Sequence, residues 1–421
     1  MGLEIKEWFK FGDDYYKQRN TAIMQREKKV YLDGIGVMSN PFGANHKLPS
    51  GHFKRIVDQK VGYSLGKGVK FEDKEDLDKY FEHTFDEEIM TLATETSKKG
   101  QVWVYAYKEN GQLKFKTFPV EQLQPVYDEF DNLVEMIRSY DENGYTYRVV
   151  YSTEDITVYR KKLADKEYTR YEVYGHYAEV EMFNGQVVSI EQHSFGEVPF
   201  IPLWNNDDKL SDLYPIKSLI DVYDIIMSDF ANNIDDMQEA FLTLKGYTGD
   251  TKAMGEFVNQ LKMIKAVPVS EDGDVNVNQL TIPTEARKVF LELLTDDIYK
   301  FAMAVDMTKI EGGSLTNVHI KAMFSDLDLK VDQFESQIRK FTYDLIDFVN
   351  EHDNQNISKE LNFDRSMIMN RQETIDGLIK LSGILSQKTI LRLLPFDIDV
   401  EEEIRLLNEE NGGLLDEPLE T

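Results

Sequence analysis

No cysteine occurs among the 421 residues. That excludes disulfide staples, thiolate nucleophiles, thiolate zinc sites and thiolate-held iron–sulfur clusters. No apolar run approaches the ~18 residues that a membrane-spanning helix needs. Positive charge is scarce, with 48 Lys and Arg against 76 Asp and Glu, a formal net charge of −28. A monomer so charged is a poor candidate for gripping DNA or an anionic membrane through a basic face. The first residues, Met1 to Phe11, alternate charge with Trp8 and Phe9 and do not read as a signal peptide. A soluble protein with no membrane partner is the expectation.

Catalytic signatures are missing too. Gly66-Lys67-Gly68 looks like a phosphate loop, but Val61 stands where the first glycine belongs and Gly68 replaces the hydroxyl residue. It reads as a helix end and turn. Gly34-Ile35-Gly36 lacks the third glycine of a dinucleotide fingerprint. The seven histidines, His46, His52, His83, His176, His193, His319 and His352, form no close metal pair. Asp207-Asp208, Asp235-Asp236 and Asp296-Asp297 are adjacent pairs, which point about 100° apart on a helix and usually face solvent. A two-metal nuclease needs carboxylates converging from separate elements. Val277 occupies the place where a calcium loop at 271–278 needs glycine. No catalytic constellation, metal site or cofactor site is expected, and the chain reads as a non-enzyme.

What is present is an order of textures, in an α+β, multidomain chain. The first hundred residues read as largely helical, with an irregular stretch punctuated by Gly34 to Gly51. Helices are predicted at His52 to Tyr63 and Asp73 to Ser97, the second closed by Lys98, Lys99 and Gly100. From 101 to 204, β-branched and aromatic runs alternate with Asn110-Gly111, Asn143-Gly144 and Asn184-Gly185, the strongest short hairpin signal. Helical spacing returns from Ile216 to Phe241. A small α/β insertion is expected over 242–282. Another helix follows Pro283-Thr284, then a polar loop near Thr308 to Asn317. Ile320, Phe324, Leu327, Val331, Phe334, Ile338, Phe341, Leu345 and Phe348 then recur every three or four residues. That seam fits a helix of some 30 residues, read as a core stripe rather than a zipper. Shorter helices are predicted at Met369–Leu385, Lys388–Leu393 and Glu401–Glu410.

Several pieces together resemble the portal proteins of tailed bacteriophages, in the long-tailed siphovirus-type branch. They are Ile56-Val57-Asp58-Gln59-Lys60-Val61-Gly62-Tyr63-Ser64-Leu65-Gly66, Phe195-Gly196-Glu197-Val198-Pro199, Asn205-Asn206 and Ser211-Asp212-Leu213. Leu219-Ile220-Asp221-Val222-Tyr223-Asp224, Ser228-Asp229 and Ala231-Asn232 complete the set. Their order and spacing cover nearly the whole chain. The resemblance implies a phage portal fold with an α/β wing, helical stem, small α/β clip and helical C-terminal crown. Residues 1–210 would be the N-terminal wing region, with its antiparallel β part at 101–204. The stem helices would be 211–241 and 283–306, flanking a clip at 242–282. A tunnel loop at 307–318 would precede a long wing helix at 319–352, and 353–421 would form the crown and acidic tail. One departure is Thr316-Asn317-Val318-His319-Ile320-Lys321, where the family often carries Ser-Gly before an Ala-Leu-Lys-like helix start.

The resemblance also implies function. Such a protein would form a ring, usually a homododecamer, at one capsid vertex in the virion, after assembly in the host cytoplasm. Double-stranded DNA would pass through it. Partners would be the terminase large subunit, which holds the ATPase, the scaffold and major capsid proteins, and a head-tail adaptor. DNA-facing candidates on the loop are Thr308, Lys309, Glu311, Asn317 and His319. Candidates for terminase or adaptor docking on the clip are Lys252, Lys262 and Lys265. Alternatives are another oligomeric virion protein, such as a collar or minor head protein, and a carboxylate-dependent metal nuclease suggested by the aspartate pairs.

Overall fold

A computed structural model describes residues 3–27, 29–32, 36–39, 44–153, 155–164, 166, 169–175, 179–183, 186–191, 195–236, 241–245, 274–278, 283–310, 316–365, 371–394 and 399–413. The helices are α1 (Leu3–Tyr16), α2 (Thr21–Met24), α3 (His52–Leu65), α4 (Lys74–Asp78), α5 (Phe85–Lys99) and α6 (Lys217–Asp236). They continue with α7 (Thr284–Phe301), α8 (Asn317–His352), α9 (Arg371–Lys380), α10 (Gln387–Leu393) and α11 (Val400–Gly413). The strands begin with β1 (Lys29–Leu32), β2 (Gly36–Ser39), β3 (Val69–Lys70), β4 (Gln101–Glu109), β5 (Gln112–Thr117) and β6 (Leu123–Tyr127). Next come β7 (Leu133–Glu142), β8 (Tyr145–Tyr151), β9 (Asp155–Lys162), β10 (Thr169–Gly175), β11 (Glu179–Phe183) and β12 (Gln186–Glu191). The last are β13 (Phe200–Trp204), β14 (Phe241–Lys245), β15 (Asp274–Asn278) and β16 (Asn362–Phe363). The chain divides into two compact units, one of residues 1–12, 55–214 and 299–421, the other of 13–54 and 215–298.

In the first unit, β13-β4-β5 and β10-β9-β8-β7-β6 form two antiparallel sheets. Asn110 (φ 52°) with Gly111 (φ 75°), and Asn143 (φ 50°) with Gly144 (φ 82°), make the β4–β5 and β7–β8 turns. Positive φ at both central residues matches the right-handed strand twist, as the Asn-Gly reading predicts. The two sheets share a core of Trp103, Tyr105, Leu123, Met136, Val149, Tyr151 and Phe200, joined by Phe9 of α1. Helix α5 packs on β4, and α8 on β13. All nine seam positions of α8 are buried.

Several boundaries differ from the sequence reading. The helix expected over 73–97 is broken between α4 and α5. Thr84 starts a new helix with a capping box: its hydroxyl accepts from the Glu87 N–H, and Glu87 accepts from the Thr84 N–H. At the other end Gly100 adopts φ 86°, and a Cβ there would lie 2.3 Å from the Lys209 carbonyl oxygen. Only glycine fits, as the C-cap reading requires. Helix α7 ends at Phe301, short of Val305, because Met303 turns left-handed (φ 52°).

In the second unit, β1 and β2 form a hairpin where an irregular stretch was expected. Helix α6 ends at Asp236, and Phe241 opens a strand. Phe241 pairs with Asn278 of β15, and Leu242 and Leu244 stand opposite Val277 and Val275, so at Phe241 the period of two wins over the helical reading. The helical patch and strand-like run expected at 257–269 lie outside the described residues. Residues 46–50 lie along α6 as an extended strap. The N–H of His46 donates to Asn232 Oδ1 (2.6 Å), that of Leu48 to Ser228 Oγ (3.0 Å) and that of Ser50 to Asp224 Oδ1 (2.8 Å). Two extended residues advance about 6.7 Å and four helical residues about 6 Å. Alternate strap amides therefore meet one polar stripe of the helix, running antiparallel to it.

Candidate functional site

The DNA-facing candidates surround the turn after α7 and the start of α8. Thr308 and Lys309 lie on the 3₁₀ turn Met307–Ile310. Asp306 Oδ1 accepts from the Thr308 N–H (3.1 Å) and hydroxyl (2.8 Å), which fixes the turn. Lys309 is exposed. Thr316 caps α8 by accepting from the His319 N–H (3.3 Å), and the His319 residue is exposed. Asn317 is tied to α9: its N–H donates to Glu373 (2.6 Å) and its amide to Thr374 (3.1 Å). Thr308 and Lys309 thus share one turn, while Asn317 and His319 open the next helix. Glu311, Lys252, Lys262 and Lys265 lie outside the described residues.

Beneath this turn is a scaffold built by α3. Gln59 grips Val305 on both sides. Its amide N–H donates to the Val305 carbonyl and its amide oxygen accepts from the Val305 N–H, each at 2.9 Å. The Tyr63 hydroxyl donates to Asp328 (2.7 Å) and its ring packs 5.4 Å from Phe324 of α8. Burial, with Asp328 beside it, holds that phenol well above its ordinary range. Ser64 donates to Glu335. Arg365 closes the same face, donating to Asp328 (2.9 Å), Asp332 and both Glu335 oxygens (3.0 and 2.9 Å).

At the centre is Lys60, fully buried. Its ammonium donates to Asp212 (3.0 Å), Asn205 (2.5 Å) and Ser97 (3.1 Å), and it lies 3.7 Å from the centroid of the Phe334 ring. Asp212 also pairs with Lys330 (3.2 Å) and accepts from the Asn205 amide (3.0 Å). Lys330 in turn caps the Ala302 carbonyl (2.8 Å) where α7 has ended. Burial pushes the Lys60 ammonium down to about 8, against the opposing pull of Asp212. Burial raises the Asp212 carboxyl, but Lys330 and Lys60 outweigh it and hold the group at about 2. One carboxylate thus serves two ammonium groups. This network escaped the sequence reading, although Lys60 occupies the apolar stripe of Phe53, Ile56, Val57 and Val61, where a lysine needs a partner.

Asp207 accepts from Gln337 (2.7 Å) and Asp235 pairs with His46. Among the described residues, the one group able to offer three donor atoms to a cation is Glu197, Glu351 and His352, all within 4.8 Å of one another. Both glutamates are exposed, and Glu197 already accepts a 3.2 Å contact from the imidazole.

A family profile described as "Phage portal protein, SPP1 Gp6-like" matches residues 4–413. The portal protein of Bacillus phage SPP1 is 29% identical over 438 aligned positions, spanning 96% of this chain and 85% of that protein. The portal protein of Clostridium phage phiCD119 is 29% identical over 428 positions, spanning 94% and 91%. A chain of the virion of a native gene transfer agent particle aligns with a TM-score of 0.47 and 11% identity, covering 91% of this chain and all of that one. With a profile match from residue 4 to residue 413, this chain belongs to the SPP1 Gp6-like family of phage portal proteins.

Proposed function

We propose that twelve copies close into a ring at the capsid vertex, and that the turn at 307–310 with the start of α8 faces DNA moving through its bore. The family match along 4–413 carries this reading. In the proposed mapping, 1–210 and 319–352 serve as wing, 211–241 and 283–306 as stem, 242–282 as clip, 307–318 as tunnel loop and 353–421 as crown. A single copy leaves Ile379 (64%), Ile384 (77%) and Leu393 (51%) exposed near its C-terminal end, which favours cover by other chains.

The mechanism is mechanical. A terminase supplies ATP-driven force and docks, as the adaptor does later, on the clip through Lys252, Lys262 and Lys265. Scaffold and major capsid proteins hold the ring in the shell. Twelve copies at −28 each carry −336, so a mostly negative bore repels phosphate and lets the duplex slide. Lys309 and His319 supply brief backbone contacts. Their fixed position comes from the scaffold that Gln59, Lys60 and Tyr63 build under the turn.

Negative-stain electron microscopy of the purified chain should show rings with a central hole; discrete dimers without a channel would refute the ring. Lys309→Glu should leave ring formation intact and lower packaged DNA per capsid several-fold. Normal packaging and retention by that variant would remove the turn from the channel.

A further inference from the structure

The geometry points to the groove between α6 and α7 as a contact between neighbouring copies, in which Arg287 takes a carboxylate from the adjoining chain. This rests on the ring reading and names one of its surfaces. Ile226, Asp229, Ala286, Arg287 and Phe290 line the groove, which has room of about 320 Å³. Asp229 is already taken: Arg26 Nη2 donates to one of its oxygens (3.1 Å), and Arg26 Nη1 forms an ion pair with the other at 2.8 Å. Arg287 is left with a ring, its guanidinium carbon 5.6 Å from the centroid of Phe230. Its Nη1 is buried and has no hydrogen-bond partner among the described residues. Buried donors seldom stay orphaned in a finished assembly.

The groove is lined by one guanidinium and one carboxylate, and because that carboxylate is engaged by Arg26, the charge of Arg287 is left unanswered on a chain of −28. Its rim is apolar. Val289 (53% exposed), Phe290 (46%) and Leu293 (56%) follow Ala286 along one face of α7 at helical spacing. What the groove lacks is one acidic oxygen and an apolar cover, delivered together.

A second copy fits that description. With 76 acidic residues, every copy has carboxylates to offer, set among exposed aliphatic side chains. A phosphate backbone matches the charge but not three exposed apolar groups. A groove on one copy filled by a different surface of the next is a head-to-tail contact, the kind that closes into rings. The carboxylate supplies register and the apolar rim supplies the buried area.

The absence of cysteine permits a clean test with the full chain. Leu293→Cys introduces a single thiol on the rim, and Asn132→Cys one at the exposed β6–β7 turn as a control. In rings, confirmed by electron microscopy, the thiol from Leu293→Cys should react with a maleimide at least tenfold more slowly than in dissociated chains. The control should not change. Arg287→Glu, with an unchanged circular dichroism melt, should raise the protein concentration needed for rings at least tenfold. Rings whose Leu293→Cys thiol labels at the free rate, or Arg287→Glu rings that assemble like wild type, overturn the contact while leaving the ring standing. A wild-type chain that forms no ring under any condition overturns the ring and this contact with it.

Discussion

Asp212→Asn isolates the buried lysine network of the first unit. The change preserves shape but removes the one carboxylate shared by Lys60 and Lys330. Lys330 is partly exposed and can turn to solvent; Lys60 is 1% exposed and cannot. Breaking a buried pair from one side costs about 3–5 kcal/mol. Lys60→Met should behave differently. Asp212 keeps Lys330, and a thioether replaces an ammonium that burial already disfavours, so the change should stay within about 1 kcal/mol. The pH dependence has a definite sign. The Asp212 carboxyl is held at about 2, below its usual value, so its contribution is present above ~4 and lost as pH falls through 2. That contribution is about 2 kcal/mol, and Asp212→Asn should flatten this acid limb. The Lys60 group is also depressed, to about 8, so its charged form costs stability at neutral pH and the cost fades as pH rises from 8 toward 10.5. Trp8, Trp103 and Trp204 all belong to the first unit, so tryptophan fluorescence follows the melting of that unit. Asp212→Asn should lower that transition by an amount on the order of 5–15 °C, with little change for Lys60→Met. Equal losses for the two variants, or a loss under about 1 kcal/mol for Asp212→Asn, would refute the shared-carboxylate reasoning.

Ser228→Ala removes the acceptor for the Leu48 N–H and should cost roughly 1 kcal/mol locally. Hydrogen exchange at Leu48 should quicken about fivefold while the first unit's amides stay unchanged. Asn143→Ala with Gly144→Ala forces two alanines into left-handed conformations and should cost about 2–4 kcal/mol, read from the same tryptophan melt. Arg365→Met leaves Asp328, Asp332 and Glu335 spaced along one helix face without their shared cation. That repulsion should lower the transition, with partial recovery in high salt, because screening weakens like-charge repulsion.

Local rules explain which parts of the fold were legible beforehand. The α8 seam was readable because nine apolar residues keep one helical period, and all nine are buried. The Asn-Gly turns were readable because few other pairs accept positive φ twice. The break between α4 and α5 was not, since a capping box at Thr84 outweighs a continuous apolar pattern. The start of β14 was missed because Phe241 continues the helical spacing of α6, and only residues 274–278, some thirty residues away, supply the competing partner. The strap at 46–50 carries no periodic signal; its order is imposed by polar side chains on α6.

The family pieces in the sequence turn out to be internal wiring. Gln59 reaches Val305 just before the 307–310 turn, Tyr63 and Ser64 reach Asp328 and Glu335 of α8, and Lys60 reaches Ser97, Asn205 and Asp212. Asn205 and Asp212 complete the lysine network, while Asp224, Ser228 and Asn232 hold the strap. These roles demand particular atoms at particular distances, so substitutes are few. The DNA-facing surface proposed for the turn and the start of α8 asks for the opposite. It needs weak contacts and a repulsive average charge, which many residues supply. Thr316-Asn317-Val318 can therefore depart from the family's usual helix start, provided Thr316 still caps α8 and Asn317 still meets α9. On this argument, exchanging His319 for glutamine should alter DNA retention less than Gln59→Ala, which leaves Lys309 in place but frees the Val305 backbone beneath it. The two variants can be compared by DNA remaining in filled capsids after heating, and a larger loss for the histidine change would contradict this division of roles.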